Sequence, residues 1–179
     1  MKRLFAILTL GMIGSSAMAN NGIINFEGTV SAGGTCPIDL VTPGGPSLPK
    51  VFLGDFRSEN FTAIGQQTEM VRFALRVDPT TCTIAAGQKA FVKFAAHYGT
   101  DPSGRLYGLQ SGVGYSDGMA LAIYDKSNAE LAPDAESVEY ELSDSVPTDM
   151  NFTARLETVK ANVTEGQLRG SATFTVDIR

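Results

Sequence analysis

The stretch NNGIINFEGTVSAGGTC, residues 20–36, places Gly22, Ile24, Phe26, Gly28 and Val30 at alternate positions. A repeat of two is the mark of an extended strand with one face to bury. What precedes it has a different character. Lys2 and Arg3 are followed by a short apolar run over residues 4–13, and Ala17-Met18-Ala19 has the small-x-small form of a cleavage site. Together these describe a secretory signal peptide over residues 1–19, cut after Ala19. The apolar run is too short for a lasting membrane span, which takes roughly 20 residues, and no later run approaches that length. The expectation is an exported chain whose mature end is a strand ready for burial.

About 160 residues follow the leader, enough for one well-buried domain. Without Lys2 and Arg3, 12 basic residues face 19 acidic ones, and the net charge moves from −5 to about −7. An acidic surface without basic patches argues against nucleic acid or anionic lipid as a partner. Cys36 and Cys82 are the two cysteines, and export carries them into an oxidising compartment. One intramolecular disulfide is expected, against the alternative of two reduced, buried thiols. Closing a loop of about 46 residues would contribute roughly 4 kcal/mol on the chain-entropy estimate.

Alternation continues along the chain. Val71, Phe73, Leu75 and Val77 interleave with Arg72, Ala74, Arg76 and Asp78, and Ala90, Val92, Phe94 and Ala96 repeat the pattern. Met119, Leu121 and Ile123 follow, then Val138, Tyr140 and Leu142, then Met150, Phe152, Ala154 and Leu156, and last Ala172, Phe174, Val176 and Ile178. Turn signals separate them, among them Pro43-Gly44-Gly45-Pro46, Asp101-Pro102-Ser103-Gly104 and Glu165-Gly166. Residues 128–135 come nearest to a helical stripe, and Pro133 breaks it. Short strands joined by regular turns predict an all-β sandwich. The strand over residues 171–179 has an apolar row that belongs in a core, and its outer edge is expected to stand unpaired, open to a strand from elsewhere.

In order and spacing these residues resemble the subunits of type 1-like fimbriae assembled by the bacterial chaperone–usher route. The resemblance rests on a GxxxFxG-like start (Gly22, Phe26, Gly28), Cys36 soon after it, Cys82 past the next long strand, GMALAIYD over residues 118–125, and the closing ATFTVDI strand. It implies an incomplete immunoglobulin-like sandwich of six strands that lacks the last one, preceded by an N-terminal donor-strand extension over residues 20–31 of the pilin domain 20–179. A periplasmic pilus chaperone would fill the resulting groove during export. The extension of the next fimbrial subunit would replace it in the fibre after passage through an outer-membrane usher. Donor residues would be Gly22, Ile24, Phe26, Gly28 and Val30. Burial of Ile24, Phe26 and Val30 would contribute about 1.5–3 kcal/mol each before ordering costs. The acceptor groove would be lined by Phe174, Val176 and Ile178 on the last strand, with Val71, Phe73 and Leu75 as its floor. The chaperone would grip the terminal carboxylate of Arg179. Such subunits usually carry a penultimate tyrosine, whereas this chain has Ile178.

Two other readings stand beside this one. Residues 20–31 could be the ordinary first strand of a complete, free-standing secreted sandwich. Such a module could bind a glycan through Tyr98, Tyr107, Tyr115 and Tyr124, which surround the glycine-rich stretch 99–118. Chemistry finds no constellation: His97 is the only histidine, so clustered nitrogen ligands for zinc or copper are lacking. There is no GxSxG elbow. Asp134/Glu136 and Glu139/Glu141 read as solvated surface, and Asp101, Asp117, Asp125 and Asp144 lack the spacing of a calcium loop. The expectation is a structural protein, neither an enzyme nor a cofactor carrier, destined for the cell surface.

Overall fold

The computed structural model describes the backbone of residues 20–30 and the whole of residues 36–179. Residues 1–19, where a leader is expected, and Ser31, the expected end of the donor segment, lie outside the described residues. Among those described, nine strands form two sheets. They are β1 (Asn20–Val30), β2 (Ile38–Val41), β3 (Val51–Phe56), β4 (Val71–Val77), β5 (Lys89–Ala96), β6 (Met119–Tyr124), β7 (Tyr140–Glu141), β8 (Thr148–Thr158) and β9 (Leu168–Ile178). One sheet runs β3-β1-β9-β5-β7 and the other β2-β4-β8-β6. Among the described residues the helical content is a single 3-10 turn over Ser58–Asn60.

The chain is an immunoglobulin-like sandwich missing its last strand. Six strands carry it: β4, β5, β6, β8, β9, and a first strand divided into β2 on one sheet and β3 on the other. The division follows from sequence, because Pro43, Gly44, Gly45, Pro46 and Pro49 interrupt any continuous ladder. β1 occupies the remaining place. β7 is a two-residue pairing on the flank of β5.

β4 and β6 end for local reasons. β4 stops where Pro79 removes a donor, and the Asp78 carboxylate turns the chain by accepting from the Thr80 amide at 2.9 Å and its hydroxyl at 2.7 Å. The amide of Cys82 then donates to Asp78 O at 3.0 Å. That brings Cys82 within 4.8 Å (Cα–Cα) of Cys36, to which it is disulfide-bonded. β6 stops at Asp125, whose buried carboxylate accepts from Ser127 N at 2.9 Å, Ser127 Oγ at 2.6 Å and Val138 N at 3.2 Å.

The core lies between the sheets, around aromatic rings from both. Phe73 of β4 stacks on Phe152 of β8 at 5.6 Å, and Phe94 of β5 meets Phe152 edge-on at 5.1 Å. Tyr140 closes the group 5.3 Å from Phe152. On the far side of β6, Ala120, Ala122 and Tyr124 pack with Leu106 and half-buried Val159, so this strand is covered on both faces.

The strand expected around Val138, Tyr140 and Leu142 is mostly absent. Ser137 Oγ accepts from the Val92 amide at 3.0 Å, so a side chain occupies the place of a backbone acceptor and only Tyr140 and Glu141 join the ladder. The outer edge of the last strand is likewise not left open. β9 lies between β5 and β1.

Candidate functional site

The slot between β3 and β9 is built from two strands that do not pair with one another. β9 presents Leu168, Ala172, Phe174 and Val176 to the interior, all buried, while Arg169 and Thr173 on the alternate face are exposed. β3 contributes Val51 and Leu53 as the opposite wall. Phe73 and Leu75 of β4, fully buried, lie in the same cluster, with half-buried Val71 and Ile178 packed against it. The six residues expected to line a groove thus share one apolar cluster, which is also the centre of the domain core. Val51 and Leu53 escaped the sequence reading. Their signal, VFL before Gly54, is a short run flanked by turn residues.

β1 lies in this slot. It runs parallel to β9, with Ile24 opposite Gly170, Phe26 opposite Ala172, Gly28 opposite Phe174 and Val30 opposite Val176. It runs antiparallel to β3 over Asn20↔Phe56 to Ile24↔Val51, with a bulge between Gly22 and Ile23. Gly54 stands at the bulge with φ of +120°, a conformation that favours glycine. β1 is the one described strand that pairs with β3. The register places the five expected donor positions, Gly22 to Val30, beside the row of β9 that faces the core.

The far end of β9 is anchored by Arg179. Its amide donates to Lys89 O at 2.9 Å and its carbonyl accepts from Lys89 N at 2.8 Å. Its guanidinium donates to Glu136 at 2.8 Å and Asp177 at 3.0 Å, and lies 3.9 Å from the centre of the Phe91 ring.

At the mouth of the sandwich, Arg76 and Asp149 form a bidentate pair at 2.6 and 2.8 Å. Hydrogen bonding from Arg76 holds the Asp149 carboxyl below its ordinary value against the opposing effect of burial.

The groups considered for chemistry are otherwise engaged. His97 is exposed and meets the ring of Tyr98 edge-on at 4.8 Å. Glu139 pairs with Lys89 at 2.7 Å, and Glu136 with Lys93 and Arg179. Among the described residues, no three His, Cys, Asp or Glu side chains gather as metal ligands. No helix there is long and apolar enough to cross a membrane. Of the loop tyrosines, Tyr107 is fully buried with its hydroxyl donating to Phe94 O at 3.3 Å, and burial pushes that hydroxyl's pKa up. Tyr124 is buried under Arg155, and Tyr98 bonds Gln110 at 3.0 Å. These three rings are used in packing rather than offered as a platform for sugars.

The arrangement holds β1 through main-chain pairing on both sides, beside the apolar row of β9. Comparisons with known proteins place the chain in a family. The sequence model described as "Fimbrial protein" matches residues 24–179. Fimbrial subunit type 1 of Salmonella typhimurium is 29% identical over 156 residues, which cover 86% of this chain and 80% of the relative. The probable major fimbrial subunit LpfA of Escherichia coli O157:H7 is 25% identical over 168 residues, covering 92% and 89%. The crystal structure of the P pilus rod subunit PapA shares the fold, with a TM-score of 0.60 at 18% identity over 80% of this chain and 99% of that one. The chain, an all-β sandwich with an added strand in its slot, belongs to the fimbrial protein family.

Proposed function

We propose that this fimbrial subunit polymerises by donor-strand exchange, giving the segment that begins at Asn20 to a neighbour and accepting a neighbour's segment between its own β3 and β9. The carrying observation is that, among the described residues, β3 and β9 share a sheet only through β1. The N-terminal strand fills a slot that the rest of the domain frames, so a strand of the same pattern from another copy can replace it. The cis arrangement is parallel to β9, and β1 is tethered through residues 31–35 to Cys36, which the disulfide ties to the end of β4. A donor arriving from another molecule carries no such tether.

The same slot needs a stand-in before assembly, because an apolar row and a bare strand edge invite aggregation. A periplasmic pilus chaperone holding the C-terminal carboxylate of Arg179 supplies one, and an outer-membrane usher is the place of exchange. The product is a structural fibre at the cell surface. Deleting residues 20–30 should leave chaperone copurification intact and abolish incorporation onto a preceding subunit. Normal incorporation of that variant would remove the proposal.

A second reading is favoured by the cis position of β1: a self-contained sandwich in which it is simply the first strand. It predicts a chain that stays monomeric at any concentration and never releases β1 to a competing peptide.

A further inference from the structure

On the outer face of the β2-β4-β8-β6 sheet a polar hollow of about 490 Å³ opens beside Pro43, lined by Arg72, Asp125, Lys126, Asn128, Asn151 and Thr153. Arg72, Asn151 and Thr153 belong to the strand face opposite Phe73 and the Phe152 ring, and Phe152 also contributes to the lining, so the hollow lies on the far side of the sheet from the slot. In an acidic protein it gathers two cations. The Arg72 side chain makes no hydrogen bond or ion pair among the described residues, whereas that of Arg76 on the same strand is locked to Asp149. The Lys126 ammonium lies 4.8 Å from the centre of the Tyr140 ring. Asp125 spends its carboxylate on Ser127, Ala129 and Val138.

One lining residue also carries an unpartnered polar atom. Thr153 Oγ1 is buried without a hydrogen-bond partner, the one such side-chain atom among the described residues. A side-chain rotation of Thr153 would turn that oxygen toward the hollow, where an occupant could satisfy it. The walls are also set in advance. The turn after β6 is fastened by Asp125 from inside, and the opposite loop is fastened by Gly44 N donating to Asp149 at 2.8 Å and Arg76 donating to Gly45 O at 3.0 Å.

We infer that this hollow binds a carboxylate-bearing sugar, the acidic residue of a surface glycan. The planar fork of Arg72 matches a carboxylate, which a point charge would hold less specifically. Asn128, Asn151 and Thr153 can each both donate and accept, as the hydroxyls of a sugar ring require. The volume suits a monosaccharide or disaccharide and exceeds what a bare anion fills. One unpaired guanidinium and one lysine are too few cations for a polyphosphate.

The test uses the single full chain in solution, so it does not depend on whether chains polymerise. Saturation-transfer NMR and titration with sialyllactose and a glucuronate disaccharide should show binding, with neutral lactose as the control showing none. Arg72→Gln should weaken binding by about tenfold or more, as loss of a charged hydrogen-bonded pair does. Arg169→Gln, an exposed arginine on the other sheet, should leave it unchanged. Asn151→Ala, also at an exposed position, gives a second variant should Arg72→Gln fail to fold. Equal binding of lactose, unchanged binding in Arg72→Gln and Asn151→Ala, or no binding of either acidic sugar would overturn the inference.

Discussion

Gly28 stands opposite Phe174 in the parallel register between β1 and β9. The neighbouring pairs reverse the sizes, with Phe26 opposite Ala172 and Ile24 opposite Gly170. Large against small along one row is how adjoining strands fill a shared layer without overlap. Enlarging Gly28 therefore works against the slot's shape. Gly28→Leu should destabilise the full chain by about 1–3 kcal/mol, the usual cost of overpacking, while Thr29→Leu, opposite Thr175 on the alternate row, should cost less. Urea unfolding of the two variants compares them directly.

Phe152 is the hub of the core, meeting Phe73, Phe94 and Tyr140 at 5.6, 5.1 and 5.3 Å. Its truncation to alanine leaves a cavity that three rings anchored on separate strands cannot close. Phe152→Ala should cost about 3–5 kcal/mol in chemical denaturation, and a loss below 1 kcal/mol would contradict the packing described.

The disulfide fastens the start of β2 to the turn after β4, across a separation of 46 residues. Reduction or the double variant Cys36→Ser, Cys82→Ser should lower stability by about 4 kcal/mol. Thermal melting with and without reductant measures this, and the double variant should show no further response to reductant.

Asp149 carries a pH dependence. Hydrogen bonding to Arg76 lowers its folded pKa below the ordinary 3.8. A depressed carboxylate contributes stability that is fully present above the unfolded value and lost as pH falls through the folded one. Asp149→Asn should cost about 1.5–3 kcal/mol at pH 7, the range for a hydrogen bond to a charged group. It should also flatten the decline below pH 3.8. Melting curves from pH 7 down to about pH 2 for both proteins test the slope.

Much of this architecture is written in local alternation. β5 alternates because one face meets the core and the other faces outward, β4 departs from alternation only at buried Ala74, and both lie where the pattern puts them. β6 was found from its inner row, but its second buried face depends on Leu106 and on Tyr107, whose backbone pairs with Leu121 at 2.8 and 2.9 Å. That cover comes from a loop, and no period of two announces it. β2 and β3 are too short and too interrupted by proline and glycine to register as strands. The tyrosines around residues 99–118 looked available for stacking until the fold buried Tyr107 and Tyr124. Alternation showed that residues 20–30 form a strand with a face to bury, but the choice of β9 as neighbour and the parallel direction are set by chain geometry far from that segment.

The slot itself offers the most direct measurement. A chain lacking residues 20–30 should aggregate or melt at a clearly lower temperature, because β3 loses its ladder partner and β9 its outer one. Adding the peptide NNGIINFEGTV in trans should restore a soluble complex of one chain and one peptide with the melting temperature of the intact protein. A truncated chain that remains soluble, monomeric and as stable as the full one, and that ignores the peptide, would contradict the account.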